Sequence, residues 1–427
     1  MTKKILFLFI NCILLTGLVY GQNDEGKSGT VYSRFGTGIP LTNNTATERS
    51  MGIIGVSFSE AGSPSLANPA FWGSGVFSRI AANFDFTSYS IEDSTSTGVN
   101  SLLKIGSFQA VFPLSKNKLG LSIALYPETR SSYNVNSIQS LSIGNETEDF
   151  LSNRTGSGGI TKFEVGLGYR VFKNFSVGYA PSYSFLTEKE NESVSFNNTA
   201  TNITTQRTNG TSFSHRFGVL FGGRNIFSSE DVIQLGGTLT LPTNFNAKRE
   251  TETTKIVGTQ EEIVQLGSSI SRDVSLPLKV GAGVTYFLNS KFNASVEFQS
   301  AKWGDADYGF SDRDENAFKD KNVFGMGFQF HPYKSRSTNF LANFKYSAGI
   351  SYDTGHLKVN GNDIETLWFS AGLGLLSPNL RSSSSFDLSF QYGIRGTTNQ
   401  GLVKENIFGI NLSVNLTELM FLRRKLN

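Results

Sequence analysis

Phe408-Gly409-Ile410-Asn411-Leu412-Ser413-Val414-Asn415-Leu416 decides the fold. Phe408, Ile410, Leu412, Val414 and Leu416 share one face, and Gly409, Asn411, Ser413 and Asn415 share the other. A β-strand sends successive side chains to opposite sides, so this segment has one apolar and one small, polar face. The pattern recurs at Phe292, Ala294, Val296 and Phe298 against Asn293, Ser295, Glu297 and Gln299. It recurs again at Phe324, Met326, Phe328 and Phe330, and at Phe386, Leu388, Phe390 and Tyr392. A soluble sandwich alternates too, but with shorter strands. Segments of about ten residues match a tilted strand crossing a bilayer. The pattern predicts an all-β, 14-stranded antiparallel transmembrane β-barrel.

Composition points the same way. The 427 residues include Gly 44 and Phe 36 but only Met 4 and Cys 1. Glycine suits a crowded lumen, and phenylalanine suits the lipid face and its aromatic girdles. The mean hydropathy of -0.18 would be too polar for a helical membrane protein. A barrel shows lipid only half of its strand residues, so its average falls. A formal charge of +3 gives no reason to invoke nucleic acid.

Residues 1–21 read as a secretory signal peptide. Lys3 and Lys4 precede an apolar run from Ile5 to Leu18, too short for a comfortable membrane helix, and Val19-Tyr20-Gly21 stands before Gln22. Cys12 lacks the small residues before it and the polar segment after it that a lipoprotein signal needs. Cleavage before Gln22 would leave a mature chain with no cysteine, hence no disulfide, thiolate metal site or cysteine nucleophile.

Alternation and polar, Gly or Pro boundaries place strands near 76–92, 102–114, 119–128, 160–172, 175–187, 212–224, 232–241, 277–288, 292–302, 321–331, 342–353, 365–376, 386–396 and 405–416. Tight or moderate turns alternate with long polar insertions near 129–159, 188–211, 242–276 and 303–320, read here as solvated surface loops. Short periplasmic turns, long external loops and an even strand count put both chain ends in the periplasm. The barrel then spans 76–416, and 417–427 forms a basic periplasmic tail ending Arg423-Arg424-Lys425-Leu426-Asn427.

Residues 22–75 do not alternate, and more than fifty residues are too many for a lead-in. An N-terminal hatch inside the barrel explains them. The hatch carries Tyr32-Ser33-Arg34-Phe35-Gly36 and ends near Asn68-Pro69-Ala70-Phe71-Trp72. Asn68-Pro69-Ala70 followed by fourteen strands resembles the long-chain fatty acid transporter (FadL) family of outer-membrane barrels. Leu276-Pro277, Gly281-Ala282-Gly283 and Glu297 leading to Trp303 carry a second likeness to that family. The early Tyr-Ser-Arg-Phe-Gly pattern and the basic tail resemble its members from the Bacteroidota.

The resemblance implies a passive outer-membrane channel for small hydrophobic molecules, with a hatch and a lateral exit. Asn68, Pro69 and Ala70 would set the hatch geometry. The apolar Phe71, Trp72, Phe58 and Met51 would contact the ligand, or else form a small core between hatch and wall. Some relatives of this fold serve protein secretion or assembly, so the alternative is a non-transporting barrel acting as a subunit of such a complex. Its partners would be other outer-membrane proteins or surface lipoproteins, besides the outer-membrane lipids.

The alternation places Arg79, Asp85, Glu164, Arg170, Arg216, Glu297, Lys345, Asp387 and Arg395 on the lumen side. A lipid-facing Arg or Lys at mid-depth costs roughly 2–4 kcal/mol, which favours that placement. These charges could bind a substrate headgroup, but paired charges holding the hatch are the preferred reading. His215, His331 and His356 lack metal-ligand spacing, and no serine, histidine and acid converge on one strand face. The sequence therefore predicts no enzyme, no cofactor and no metal.

Overall fold

The computed structural model describes residues 28–60, 62–143, 146–196, 200–257, 260–310, 318–332, 340–377 and 383–419. The expected signal peptide, the first hatch residues and the tail from 420 onward lie outside them. The chain forms a fourteen-stranded antiparallel barrel around an N-terminal hatch. Its wall strands are β1 (Phe77–Glu92), β2 (Thr97–Ser115), β3 (Leu119–Pro127 continuing as Thr129–Ile143), β4 (Glu146–Phe172) and β5 (Phe175–Phe196). They continue as β6 (Ala200–Arg224), β7 (Val232–Thr240 and Thr243–Val257), β8 (Gln260–Leu276 and Lys279–Phe287) and β9 (Phe292–Ala301). The last are β10 (Lys321–Phe330), β11 (Phe344–Asp353), β12 (Thr366–Leu376), β13 (Ser385–Gly396) and β14 (Lys404–Leu419). Pairing of β14 with β1, from Phe77↔Leu419 to Glu92↔Lys404, closes the ring.

The alternation maps onto two environments. In β14, Phe408, Leu412 and Leu416 are exposed on the outer surface, while Asn411, Ser413 and Asn415 are buried within. The same outer band includes Phe298, Phe324, Phe328, Phe386 and Phe390. Lipid supplies the apolar surroundings that a soluble core would otherwise provide.

The insertions near 129–159, 188–211 and 242–276 are not loops. They are the upper parts of β3 to β8, paired residue by residue, for example Asn191↔Thr205 and Thr251↔Gln206. They form a sheet rising past the apolar band; the ten steps from Phe185 to Ser195 span about 33 Å at ~3.3 Å each. Lower down, Phe245, Ala247, Val274 and Leu276 are buried, but the upper rows around Asn191 and Thr205 are at most half-buried on either face, so no hydrophobic period marks them and their Thr and Ser content reads as loop.

The hatch descends the lumen from the long-loop end to the short-turn end. Thr30 and Tyr32 contact Glu405 and Val403 at the long-loop end. A five-residue helix, α1 (Ala46–Ser50), lies midway and is closed by a Thr45–Glu48 capping box. Gly75 accepts a bond from Asn117 in a short turn just before β1 begins. The first described residues and the end of β14 therefore sit at opposite ends of the barrel. The two chain ends, expected on the periplasmic side, fall in residues 1–27 and 420–427, outside the described residues.

Candidate functional site: the interface of hatch and wall

Backbone contact explains where the lumen glycines fall. A Cβ on Gly327 or Gly349 would collide with the Met51 carbonyl, and one on Gly120 with that of Trp72. Side chains then fix the hatch at several separate points. Glu297 of β9 is buried, and one carboxylate oxygen accepts from the backbone N–H of Ile54, Gly55 and Val56 at 2.9, 2.7 and 3.0 Å. Its other oxygen accepts from the Ser57 N–H and hydroxyl at 2.7 and 2.8 Å. Four successive N–H groups on one carboxylate form a nest of the kind that holds anions.

Lys345 bridges the hatch carboxylate Glu60 at 2.6 Å and the wall carboxylate Asp387 at 2.8 Å. Arg49 of the hatch pairs with Asp85 at 3.3 Å. Arg395 meets Glu405 at 3.3 Å, and Glu405 accepts from the Thr30 hydroxyl at 2.7 Å. Arg170 donates to the Ser74 hydroxyl at 3.2 Å. Arg216 pairs with Glu164, which also accepts from Tyr126 at 2.9 Å. Arg79 is buried close to Gly75, and its Nε has no partner among the described residues. The nine lumen charges thus fall into separate clusters, most of them at the hatch, and do not converge on one binding site.

Asn68 caps the turn Pro69–Gly73 by accepting from the Ala70 N–H, and its amide donates to the Val56 and Val219 carbonyls. Pro69 fits the first position of that turn, where an N–H would find no partner anyway. Phe71 and Trp72 pack against Val111, Ala180 and Leu220 of the wall, and the Trp72 indole donates to the Ser65 carbonyl at 3.0 Å. Met51 and Phe58 pack with Ile53 and Phe287. All four lie in small apolar clusters between hatch and wall. They are buried against the wall, and none of the four lines either of the two cavities described next.

The cavities lie elsewhere. The larger, of about 190 Å³, is lined by Arg49, Asp85, Arg130, Lys321, Asp353 and Arg395 among others. The smaller, of about 70 Å³, is lined by Tyr126, Glu128, Lys162, Glu164, Arg216 and Lys279. Both fall below the roughly 300–1,000 Å³ of ordinary ligand pockets, which are mainly apolar. The walls of the larger also carry Ile39, Leu41, Ile53, Leu102, Val323 and Trp368, so its lining is mixed, apolar as well as charged. Above them, Trp303, Tyr308, Phe310 and Phe245 form a buried apolar cluster towards the long-loop end.

Sequence reasoning missed the hatch partners Arg49 and Glu60, the wall carboxylates Glu128 and Glu405, and the capping Glu48. Glu405 shares the parity of Asn411 and Ser413 on β14, so the alternation could have found it. Glu48 is fully enclosed, and burial pushes its carboxyl up to about 8, opposed by the Thr45 backbone bond.

Among the described residues, the wall is discontinuous between β2 and β3. Strand β2 pairs with β3 only from Phe108↔Leu125 down to Ser115↔Leu119. Its upper half, Thr97 to Ser107, is paired with β1 alone among the described residues. A bulge at Gly106, where a Cβ would crowd the Asp85 carboxylate, shifts the register between Asn83 and Phe84. The facing edge of β3 is covered by the hatch. Ile39 and Pro40 pair with Arg130 and Thr129, and the Gly29 N–H donates to the Ser132 carbonyl at 3.0 Å.

A closed barrel with an apolar belt, an inward charge set and an internal hatch defines a FadL-like outer-membrane β-barrel. Solved structures share that fold. A Pseudomonas aeruginosa FadL homologue is 12% identical with a TM-score of 0.60, covering 89% of this chain and 99% of that one. The Ralstonia pickettii toluene transporter TbuX is 13% identical with a TM-score of 0.58, covering 88% and 98%. The P. putida toluene transporter TodX is 13% identical with a TM-score of 0.55, covering 90% and 100%. No curated protein matches the chain in sequence. The BamG family model matches residues 1–427, and the chain belongs to the BamG family.

Proposed function

We propose that this protein is a permanently plugged, non-enzymatic barrel that serves as a subunit of an outer-membrane protein assembly or secretion complex. The long-loop end would face the cell exterior, and β14 would end at the periplasmic side. The observation that carries the reading is the interface itself: Glu297 and Lys345 hold the hatch to the wall by buried charges. The two cavities beside the hatch are small, at about 190 and 70 Å³, which supports a fixed plug. The family name BamG hints at a Bam-related role, which fits the same reading. Partners would be other outer-membrane proteins or surface lipoproteins.

Passage of a small hydrophobic molecule is the second reading. It is favoured by the fold shared with the toluene transporters TbuX and TodX. An affinity tag inserted in the exposed Asn360-Gly361 turn, followed by mild detergent extraction, separates the two. The assembly reading expects a stable complex with defined outer-membrane partners, and depletion should lower the amount of other barrels in the membrane. A monodisperse monomer carrying a bound hydrophobic ligand would overturn it in favour of transport.

A further inference from the structure

We infer that the short-turn rim of the barrel is a binding collar for phospholipid headgroups, with a preference for lipids of net negative charge. The inference stands apart from the choice between assembly and transport. Depth is the first argument. Phe163, Val165, Leu167, Tyr169 and Val171 occupy successive outward positions of β4, all exposed, and Phe172 and Lys173 follow at once. The nine steps from Phe163 to Phe172 cover about 30 Å along the strand at ~3.3 Å each, or about 23 Å across a bilayer at a tilt of ~40°. That is close to the height of one apolar band, roughly 25 Å. No polar row separates the band from the turn, so the short turns stand in the headgroup layer.

The make-up of the turns is the second argument. Three of them join an exposed apolar side chain to an exposed cation: Leu114 to Lys116, Phe172 to Lys173, and Phe227 to Arg224. Leu288 and Lys291 repeat the pairing in the turn before β9. Phe172 and Phe227 are 65% and 78% exposed. The Phe227 turn is held in shape, since the Asp231 carboxylate accepts from the N–H groups of Ile226, Phe227 and Ser228 at 2.8, 2.8 and 3.2 Å. An apolar tip beside a cation suits a bilayer boundary, where the tip enters the acyl region and the cation stays among the phosphates.

Charge specifies the occupant. Lys116, Lys118, Lys173, Arg224 and Lys291 form no ion pair among the described residues. Asp231 is turned into its own loop, which leaves Glu230 and Glu418 as the exposed carboxylates described at this end. At the long-loop end both signs mix, with Arg154 paired to Glu192 at 2.7 Å and Lys248 to Glu250 at 2.7 Å. Unpaired cations at headgroup depth fit the phosphodiester of a glycerophospholipid. A zwitterionic headgroup brings its own ammonium to the same layer, so a lipid of net negative charge is favoured. In the orientation proposed above, the leaflet concerned is the periplasmic one.

Native mass spectrometry of the full-length protein, released from nanodiscs of equal dioleoyl phosphatidylglycerol and dioleoyl phosphatidylcholine, tests the collar. The expected result is a preference of about fivefold or more for phosphatidylglycerol among the retained lipids, as one surface cation contributes. It should be lost in the combined Lys116→Gln, Lys173→Gln and Arg224→Gln variant. The charge-keeping set Lys116→Arg, Lys173→Arg and Arg224→Lys should retain it. So should Lys189→Gln, Lys255→Gln and Arg272→Gln, which remove as many exposed cations at the long-loop end. Heat-modifiable migration checks that each variant is folded. Equal retention of both lipids by the unmodified protein would overturn the inference, as would a preference that survives the rim variant or falls as far in the long-loop one. A photoreactive p-benzoylphenylalanine at position 227 in the native membrane gives a second readout that needs no charge variant. Adducts to phospholipid are expected, and adducts confined to one protein would overturn the choice of occupant.

Discussion

The hatch meets the two sides of the barrel differently. Towards β9 to β13 it is gripped by side chains: Glu297 collects four backbone N–H groups, and Lys345 ties Glu60 to Asp387. Towards β2 and β3 it is gripped by backbone, with Ile39 and Pro40 standing where a wall strand would pair. The first arrangement locks a plug into a finished wall, while the second makes the plug part of an unfinished one. A single segment can therefore be fixed at mid-lumen and also pair with a wall strand nearer its start.

The largest effect should come from Glu297→Ala. It leaves the N–H groups of Ile54, Gly55, Val56 and Ser57 buried without their acceptor, at ~1–3 kcal/mol each before relaxation. Thermal unfolding followed by heat-modifiable migration should show a large fall in midpoint, partly recovered by Glu297→Gln. An unchanged midpoint would mean that the grip on this side is nominal.

Lys345→Met comes next. It leaves Glu60 and Asp387 facing each other without a cation, and losing one member of a buried pair costs ~3–5 kcal/mol. Adding Glu60→Gln and Asp387→Asn should restore most of the stability in urea unfolding. Failure of that rescue would show that the ion cluster is not the source of the loss.

Gly38→Val acts on the other side. Gly38 has φ 87° and lies against the Arg130 backbone, so a branched side chain is both strained and obstructed. We expect about 1–3 kcal/mol of local destabilisation. A cysteine at Ser33 should become more reactive to thiol reagents, while protection around Glu297 stays as it was. Equal loosening on both sides would show that the two grips are one.

The smallest effect is the pH dependence of Glu48. Its carboxyl rises from 4.5 to about 8 in the folded hatch, so folding favours the protonated form. Its contribution is full below about 4.5 and declines as pH rises through about 8, because a buried charge then forms. Hydrogen-exchange protection across Thr45–Ile54, after correction for the intrinsic base-catalysed rate, should be greater at pH 5 than at pH 8.5. Glu48→Gln keeps the capping geometry and should flatten the difference. A flat profile in the unmodified protein would remove this account of Glu48.

The strand count and lumen face were legible because lipid imposes a period of two on every strand it touches. Phe408 to Leu416 shows this without any knowledge of partners. The rising sheet was not legible, since its upper rows around Asn191 and Thr205 are at most half-buried on either face and nothing selects a hydrophobic period. Arg49, Glu48 and Glu60 escaped for a related reason: the hatch is held by contacts distant in sequence and has no repeat of its own. The break between β2 and β3 was hidden by the regularity of β2. Val99, Leu103 and Ile105 alternate as any wall strand does, and only the register reveals where the pairing with β3 stops.

The central claim is that the hatch is a fixed plug, and a reversible lock tests it most directly. The hydroxyls of Ser50 and Ser347 are 2.5 Å apart, so Ser50→Cys with Ser347→Cys should join hatch and wall by a disulfide. The only native cysteine is Cys12, so the pair would form in an otherwise clean background. The measurement is the amount of other outer-membrane barrels in cells that depend on the locked protein, with and without reductant. The account predicts unmodified levels in both conditions. Loss of function in the locked state, restored by reduction, would show that the hatch must move and would contradict it.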